Sequence, residues 1–440
     1  MDSALIVFSH LRWDFVFQRP QQLLSRLAAQ RQIIFIEEPV HHPGAAFLRT
    51  YSPLPNVLVC QPHTPVAQPG FHDDHLPHLQ ELVRKLKRDY PQHIAWLYTP
   101  MALPLLQELD AQLVVYDCMD ELSAFRHAPR QVAQREHALL RLADLVLTGG
   151  PSLYRARRER HPNVHCFPSS VQPRDFVLAL DRTFSHPLHR DIPGPRLGYF
   201  GAIDERIDLD LLRDVADAHP RWQIVLVGPV IKIDHATLPQ RPNIHYLGMQ
   251  PYADLPRFLA GWDVCLLPFA ISPATRYTNP TKTLEYLAAE LPVVSTPVPD
   301  VVELYGEVVS IASGATAFVA ACEQALLAGP EERAAQVERM REVVARNSWD
   351  ETAAQVQALL RSTPRRESVP PLIEGQQVED LPESLPQIGT HHHGQHETGT
   401  TFMPPLVEAR GSAAVCEEDE STSTGLVAAA ATGGGSGLGH

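Results

Sequence analysis

The feature that most constrains this 440-residue chain is a two-beat pattern that occurs in two separate blocks: a short unbroken apolar run, then a stretch with helical spacing. Leu5-Ile-Val-Phe8, a helix over Gln21 to Ala29 and Ile33-Ile-Phe-Ile36 make one βαβ unit. Runs this short and this apolar are expected to be buried on both faces of a parallel sheet. Further strands are expected at 57–59, 95–98, 113–116, 145–147 and 164–167. After an aperiodic Pro-, Arg- and His-rich connector, the grammar restarts at Arg196 with runs at 196–201, 222–227, 244–247, 264–268, 293–296 and 308–311. The expected fold class is α/β: two Rossmann-like domains facing a cleft at the carboxyl ends of their strands. The boundaries fall at 1–170, a linker at 171–195, a second domain at 196–345, a helix at 346–362 crossing back to the first, and a disordered acidic tail at 363–440.

The densest chemistry lies in Asn279-Pro-Thr-Lys-Thr-Leu-Glu-Tyr-Leu-Ala. Asn279-Pro280 interrupts what precedes it, and proline is tolerated in a first helical turn. A helix starting near Thr281 presents unpaired N–H groups and the positive end of its dipole, which favour a diphosphate. Lys282 adds a cation, and Glu285, three residues on and on the same face, can accept bonds from vicinal hydroxyls such as those of a ribose. A plain Lys/Glu ion pair on a solvated helix has the same spacing. Leu284, Leu287 and Ala288 face inward.

Charge narrows the partners. The net charge is −14. The tail at 363–440 holds eleven acids and three bases, hence −8, and leaves −6 for the rest. No globally basic surface of the nucleic-acid type is expected. The six cysteines are scattered without a CxxC, as reduced thiols of a cytoplasmic protein would be. The opening Met1-Asp-Ser-Ala-Leu-Ile-Val-Phe8 has no basic leader, and no run of 18 apolar residues occurs, so membrane contact would be peripheral.

In order, Tyr199-Phe-Gly201, Val225-Leu-Val-Gly228, Asn243-Ile-His-Tyr-Leu-Gly248, Asp263-Val-Cys-Leu-Leu-Pro268, Lys282-x-x-Glu285-Tyr-Leu-Ala and Pro292-Val-Val-Ser-Thr296 resemble the donor domain of GT-B glycosyltransferases of the family 1/family 4-like group. His10-x-x-Trp13-Asp14-x-x-x-Gln18-Arg19-Pro20-Gln21 and Tyr116-Asp-Cys-Met-Asp120-Glu resemble the bacterial subgroup near the teichuronic acid synthesis glycosyltransferases. The likeness covers roughly residues 1 to 362, with Ser348-Trp349-Asp350 fitting the returning helix.

The resemblance implies a transferase that moves a sugar from a nucleotide diphosphate sugar to a hydroxyl of a glycan or lipid-linked acceptor, with no cofactor beyond that co-substrate. It places Gly201, Arg206, Gly228, Leu247, Asn279, Lys282, Thr283 and Glu285 at the donor, and His10, Asp14, Arg19, Asp117 and Asp120 on the acceptor and catalytic side. Core filling by Trp13, a surface pair of Asp14 with Arg19, a helix cap by Asp120 and an ion pair of Arg206 with Asp204 or Asp208 remain open readings. Asp208-Leu-Asp210 has an Asp-x-Asp form but opens a helix, and no metal site is expected there. Tyr277 stands where many relatives carry the first of two loop glutamates, which leaves the sugar and the stereochemical outcome open. An epimerase or hydrolase on the same fold, or a nucleotide-binding scaffold, are the alternatives. No GxGxxG follows a strand, so a dinucleotide oxidoreductase is not expected. The arginines between 126 and 160 offer either a solvated basic helix or a face for an anionic membrane surface.

Overall fold

The computed structural model describes residues 3–366, His127 excepted. Its first half is a single sheet of β1 (Ala4–Ser9), β2 (Ile33–Glu37), β3 (Val40–His41), β4 (Phe47–Tyr51), β5 (Val57–Thr64), β6 (His93–Leu97), β7 (Val114–Cys118), β8 (Leu145–Thr148) and β9 (Val164–Cys166). The order is β3-β5-β2-β1-β6-β7-β8-β9, all parallel, with β4 antiparallel on β5. Alternation of side chains explains the unbroken apolar runs. Ile6 and Phe8 of β1 enter one core with Leu79, Val83 and Leu86, while Leu5 and Val7 enter the opposite core with Leu23, Leu24 and Leu27.

The second half carries β10 (Arg196–Phe200), β11 (Gln223–Val227), β12 (Ile244–Tyr246), β13 (Val264–Leu267), β14 (Val293–Ser295) and β15 (Ser310–Ile311). All are parallel, in the order β12-β11-β10-β13-β14-β15. The order reverses between β10 and β13, as it does between β1 and β6 in the first sheet. Such switch points open a crevice at the carboxyl ends of the strands.

Several stretches differ from the sequence-based expectation. β3 and β4 lie in a segment with no period, and they exist because β5 offers them an edge to pair with. Residues 168–195 are not a free connector: three 3₁₀ segments run through them, and Phe176, Ala179 and Ile192 are buried in the second core. Thr363 to Arg366, counted with the tail, lie against the first sheet. The Arg366 N–H donates to the Gln112 carbonyl at 2.9 Å, and its guanidinium Nε reaches Asp144 at 3.1 Å. The rest of the tail lies outside the described residues.

Contacts at the returning helix and beside the cleft join the halves. The helix Trp349–Ser362 leaves the second half and buries Ala353, Val356 and Leu360 in the core formed by Leu5, Leu27 and Ile33. Arg31 donates to Gln357 at 2.8 Å beneath it. Beside the cleft, the Ser152 N–H donates to Asp300 at 3.0 Å and Arg155 pairs with Glu303 at 2.8 Å.

Candidate active site

On the second half, β10 and β11 run into Gly201 and Gly228, with φ of 132° and 145°. The Gly201 N–H donates to the Val227 carbonyl at 2.8 Å. A Cβ on Gly228 would overlap the Gly201 carbonyl, and one on Gly201 would overlap the Lys282 side chain. Glycine at both places is what lets Lys282 lie across the end of β10. Its ammonium stands 5.8 Å from the centroid of the Tyr199 ring, and it has no ion pair among the described residues. Burial first, and then Arg206, push the Lys282 pKa below its ordinary value.

Arg206 is forked onto Asp204, Nε to Oδ1 at 3.0 Å and Nη2 to Oδ2 at 2.7 Å. Burial disfavours the charge, but the Asp204 bonds more than offset it and hold the guanidinium above its usual range. The short helix Lys282–Ala288 turns Leu284 and Leu287 into the core, as its period requires, and carries Glu285 on its first turn. Burial pushes the Glu285 carboxyl up to about 7, although Lys282 and a bond from the Tyr252 hydroxyl favour the anion. That hydroxyl also receives Gln22 of the first half at 3.5 Å.

Facing this side are groups at the carboxyl ends of β1, β2 and β7. His10 follows β1. Burial, then the charge of Lys232, lower its pKa to about 4, so the ring is neutral at pH 7, and its buried Nδ1 has no partner. Glu38 follows β2, and burial raises it to about 7 against the pull of Arg12 and Lys232. Asp120 follows β7. Its pKa is also raised by burial, although Arg206, Lys232 and Lys282 all act on it in the opposite direction. Three cations of one domain thus converge on one carboxylate of the other. The next residues seal the contact: the Arg126 N–H donates to Glu205 at 3.0 Å, and the Phe125 ring lies 5.8 Å from the Arg206 guanidinium and 5.6 Å from the Lys232 ammonium.

The structure therefore brings His10, Asp120, Gly201, Arg206, Gly228, Lys282 and Glu285 to the neighbourhood of one cleft. The other residues read from the sequence have the following surroundings. Arg19 and Asp117 are spent on each other: both are buried, Nη2 meets Oδ1 at 2.9 Å, and Arg19 Nη1 donates to the Phe167 carbonyl at 2.7 Å. The pair braces the first helix to β7. Asp14 does not pair with Arg19; it is exposed and bonded to Tyr51 of β4, at the sheet edge. Trp13 is a core residue, edge-on to Phe35 at 5.1 Å. The Asn279 carbonyl accepts from Ser169 at 3.2 Å, on the first half, and its side chain lies beside Gly150. Thr283 is fully buried and its hydroxyl has no partner. Leu247 continues the β11–β12 pairing through its N–H, which donates to Leu226 at 2.9 Å.

Asp208 caps the helix Leu209–Ala218 by accepting from the Leu211 N–H at 2.9 Å, and Asp210 pairs with Arg213. Tyr277 packs against the first-half core. Of the arginines between 126 and 160, Arg126, Arg135, Arg155, Arg157 and Arg160 are engaged in ion pairs. Lys232, Glu38, Phe125 and Tyr252 were not picked out from the sequence. Glu38 had a signal, since acids just past a buried strand fall at the cleft; Lys232, isolated in Pro-Val-Ile-Lys-Ile, had none.

Two Rossmann-like halves with their strand-end loops opposed across a cleft are the GT-B fold. Residues 194–328 match the family model described as Glycosyl transferases group 1. A Bacillus subtilis (strain 168) protein, TuaH, assigned as a teichuronic acid biosynthesis glycosyltransferase, is 26% identical over 254 residues, 52% of this chain and 62% of that protein. The chain thus spans less than two thirds of that relative's length. Among solved structures, sucrose-phosphate synthase from Thermosynechococcus elongatus aligns with a TM-score of 0.62 at 16% identity, over 82% of this chain and 98% of that one. An Anabaena HepE protein solved with UDP and glucose aligns with a TM-score of 0.61 at 13% identity, over 82% and 100%. Among the described residues, no helix is long and apolar enough to cross a membrane.

Proposed function

We propose that the protein is a glycosyltransferase that moves a sugar from a nucleotide diphosphate sugar to a hydroxyl of a glycan or lipid-linked acceptor in cell-surface polysaccharide synthesis. The observation that carries this reading is the convergence of Arg206 and Lys282 on the cleft, with Glu285 buried one helical turn away. In this reading Glu285 accepts hydroxyl bonds from the nucleoside sugar. Lys282, with no ion pair of its own among the described residues, takes the diphosphate and stabilises the charge that builds on it as the glycosidic oxygen departs. Neutral His10 and the Asp120 carboxylate bind and orient the acceptor hydroxyl from the other domain. Closure of the two halves excludes water, which favours transfer over hydrolysis.

Charge neutralisation by Lys282 supports a reaction that needs no metal ion. Tyr277, turned into the first half in place of a loop glutamate, leaves the donor sugar to be recognised by other groups, and we assign a retaining outcome to the transfer. The setting is the cytoplasm, at the inner face of the membrane where the acceptor is lipid-linked rather than a free glycan.

The test is a thermal-shift series with UDP, GDP, ADP and dTDP and their sugars, with and without EDTA, since a ligand bound only by the folded state raises the melting temperature. One diphosphate should shift it, EDTA should leave the shift intact, and the corresponding nucleotide sugar should be consumed only with an acceptor present. Consumption without acceptor would instead identify a hydrolase or epimerase. Absence of any shift would sink the reading.

A further inference from the structure

The sequence points to Arg206 as the second cation of the diphosphate grip, but Arg206 is already forked onto Asp204 by three contacts of 2.7 to 3.1 Å. A guanidinium so committed has little of its charge left to give a ligand. Lys232 is placed differently. It lies in the loop that follows Gly228, has a left-handed backbone with φ of 60°, and has no ion pair or hydrogen bond among the described residues. Its ammonium stands 5.6 Å from the Phe125 ring, the same ring that Arg206 approaches from 5.8 Å. It is close enough to act on the charges of His10, Glu38 and Asp120 across the cleft, and Asp120 also feels Lys282. Two lysines without ion pairs, from the loop after β11 and from the helix before β14, therefore face the same carboxylate.

We propose that Lys232 is a phosphate ligand of the donor, forming with Lys282 a two-lysine grip on the diphosphate, while Arg206 is a positioning residue that braces Asp204 and seats Phe125. This inference rests on the glycosyltransferase reading of the cleft. Lys232 and Lys282 both act on the charge of Asp120. A diphosphate entering the cleft meets both lysines at once, whereas a monophosphate can be satisfied by Lys282 alone. Lys232 also touches the first half through Phe125, so its phosphate contact forms only where the two halves meet.

Calorimetric titration of the full chain with the nucleoside diphosphate that stabilises it best, and with the matching monophosphate, separates the possibilities. Lys232→Met should weaken the diphosphate about ten- to a hundredfold, the range for losing one charge-assisted bond, and leave the monophosphate within about twofold. Lys232→Arg should restore most of the diphosphate affinity. Arg206→Met should weaken diphosphate and monophosphate by similar factors, since it acts through loop position. If Lys232→Met binds the diphosphate as tightly as the unaltered chain while its melting temperature is unchanged, the proposal is wrong. Equal loss of both nucleotides in Lys232→Met would also overturn it, by making Lys232 a structural residue. If the unaltered chain binds no nucleoside diphosphate, the reading of the cleft itself fails, before Lys232 is in question.

Discussion

The two halves share a strand-helix grammar but supply the cleft in opposite ways. The first half brings side chains that burial has moved off their ordinary pKa values, His10, Glu38 and Asp120, and holds its loops in place with the buried Arg19–Asp117 fork. The second half brings the three cations Arg206, Lys232 and Lys282, and makes room for them with backbone, through Gly201 and Gly228. Acids and an uncharged imidazole on one wall and cations on the other mean that neither half is a site alone. The difference also locates fragility: a charge pair in the first half and a pair of glycines in the second.

The sharpest way to break this comparison is to cut the fork. Arg19→Ala leaves Asp117 buried and unpaired and should cost about 3–5 kcal/mol, measured by urea unfolding. A loss below about 1 kcal/mol would mean that the fork is not what braces the first half. Gly228→Ala attacks the second half. Its Cβ meets the Gly201 carbonyl at a strained φ, and it should cost roughly 2–4 kcal/mol and abolish nucleotide binding even where the chain stays folded. Next in size is Lys282→Met, for which a drop of about ten- to a hundredfold in nucleoside diphosphate affinity is expected, with melting temperature little changed.

Protonation gives a subtler handle. In the proposed role Glu285 accepts ribose hydroxyls more strongly as an anion, and its carboxyl is pushed up to about 7 in the folded chain, so nucleotide affinity should rise as pH goes from 6 to 8. The gain should be roughly tenfold, and Glu285→Gln should flatten it. Glu290 ends its helix in a left-handed conformation, φ 56°, while pairing with Arg341 at 2.7 Å. Glu290→Gly should change stability by only about 0.5 kcal/mol, in the favourable direction, because that pair is exposed and weak. A clear loss would show the ion pair to be worth more than the backbone strain.

Much of the fold was legible. Runs such as Ile33 to Ile36 and Trp222 to Val227 are too short and too apolar for anything but strands covered on both faces, and two sets of them imply two sheets. What could not be read was pairing that depends on a neighbour. β4 is a strand only because β5 has a free edge, and residues 173–189 fold as they do because Phe176 finds the second core. Within the cleft, glycines and the Lys282–Glu285 spacing leave a local imprint on the sequence. Partners distant in sequence leave none: Arg19 lies 98 residues from Asp117, and nothing near either announces the other. Lys232 is the extreme case, a single lysine in an apolar loop whose surroundings come from the other domain.

The returning helix carries one more consequence, for the order in which the protein is made. Ala353, Val356 and Leu360 complete a core whose other walls, Leu5, Leu27 and Ile33, are synthesised hundreds of residues earlier. On the ribosome the leading domain emerges with an apolar trough still open, and it must wait for nearly the whole of the trailing domain before that trough is filled. Folding of the first half is therefore completed last, and a nascent chain stalled before residue 349 would present a greasy surface to any chaperone near the tunnel exit.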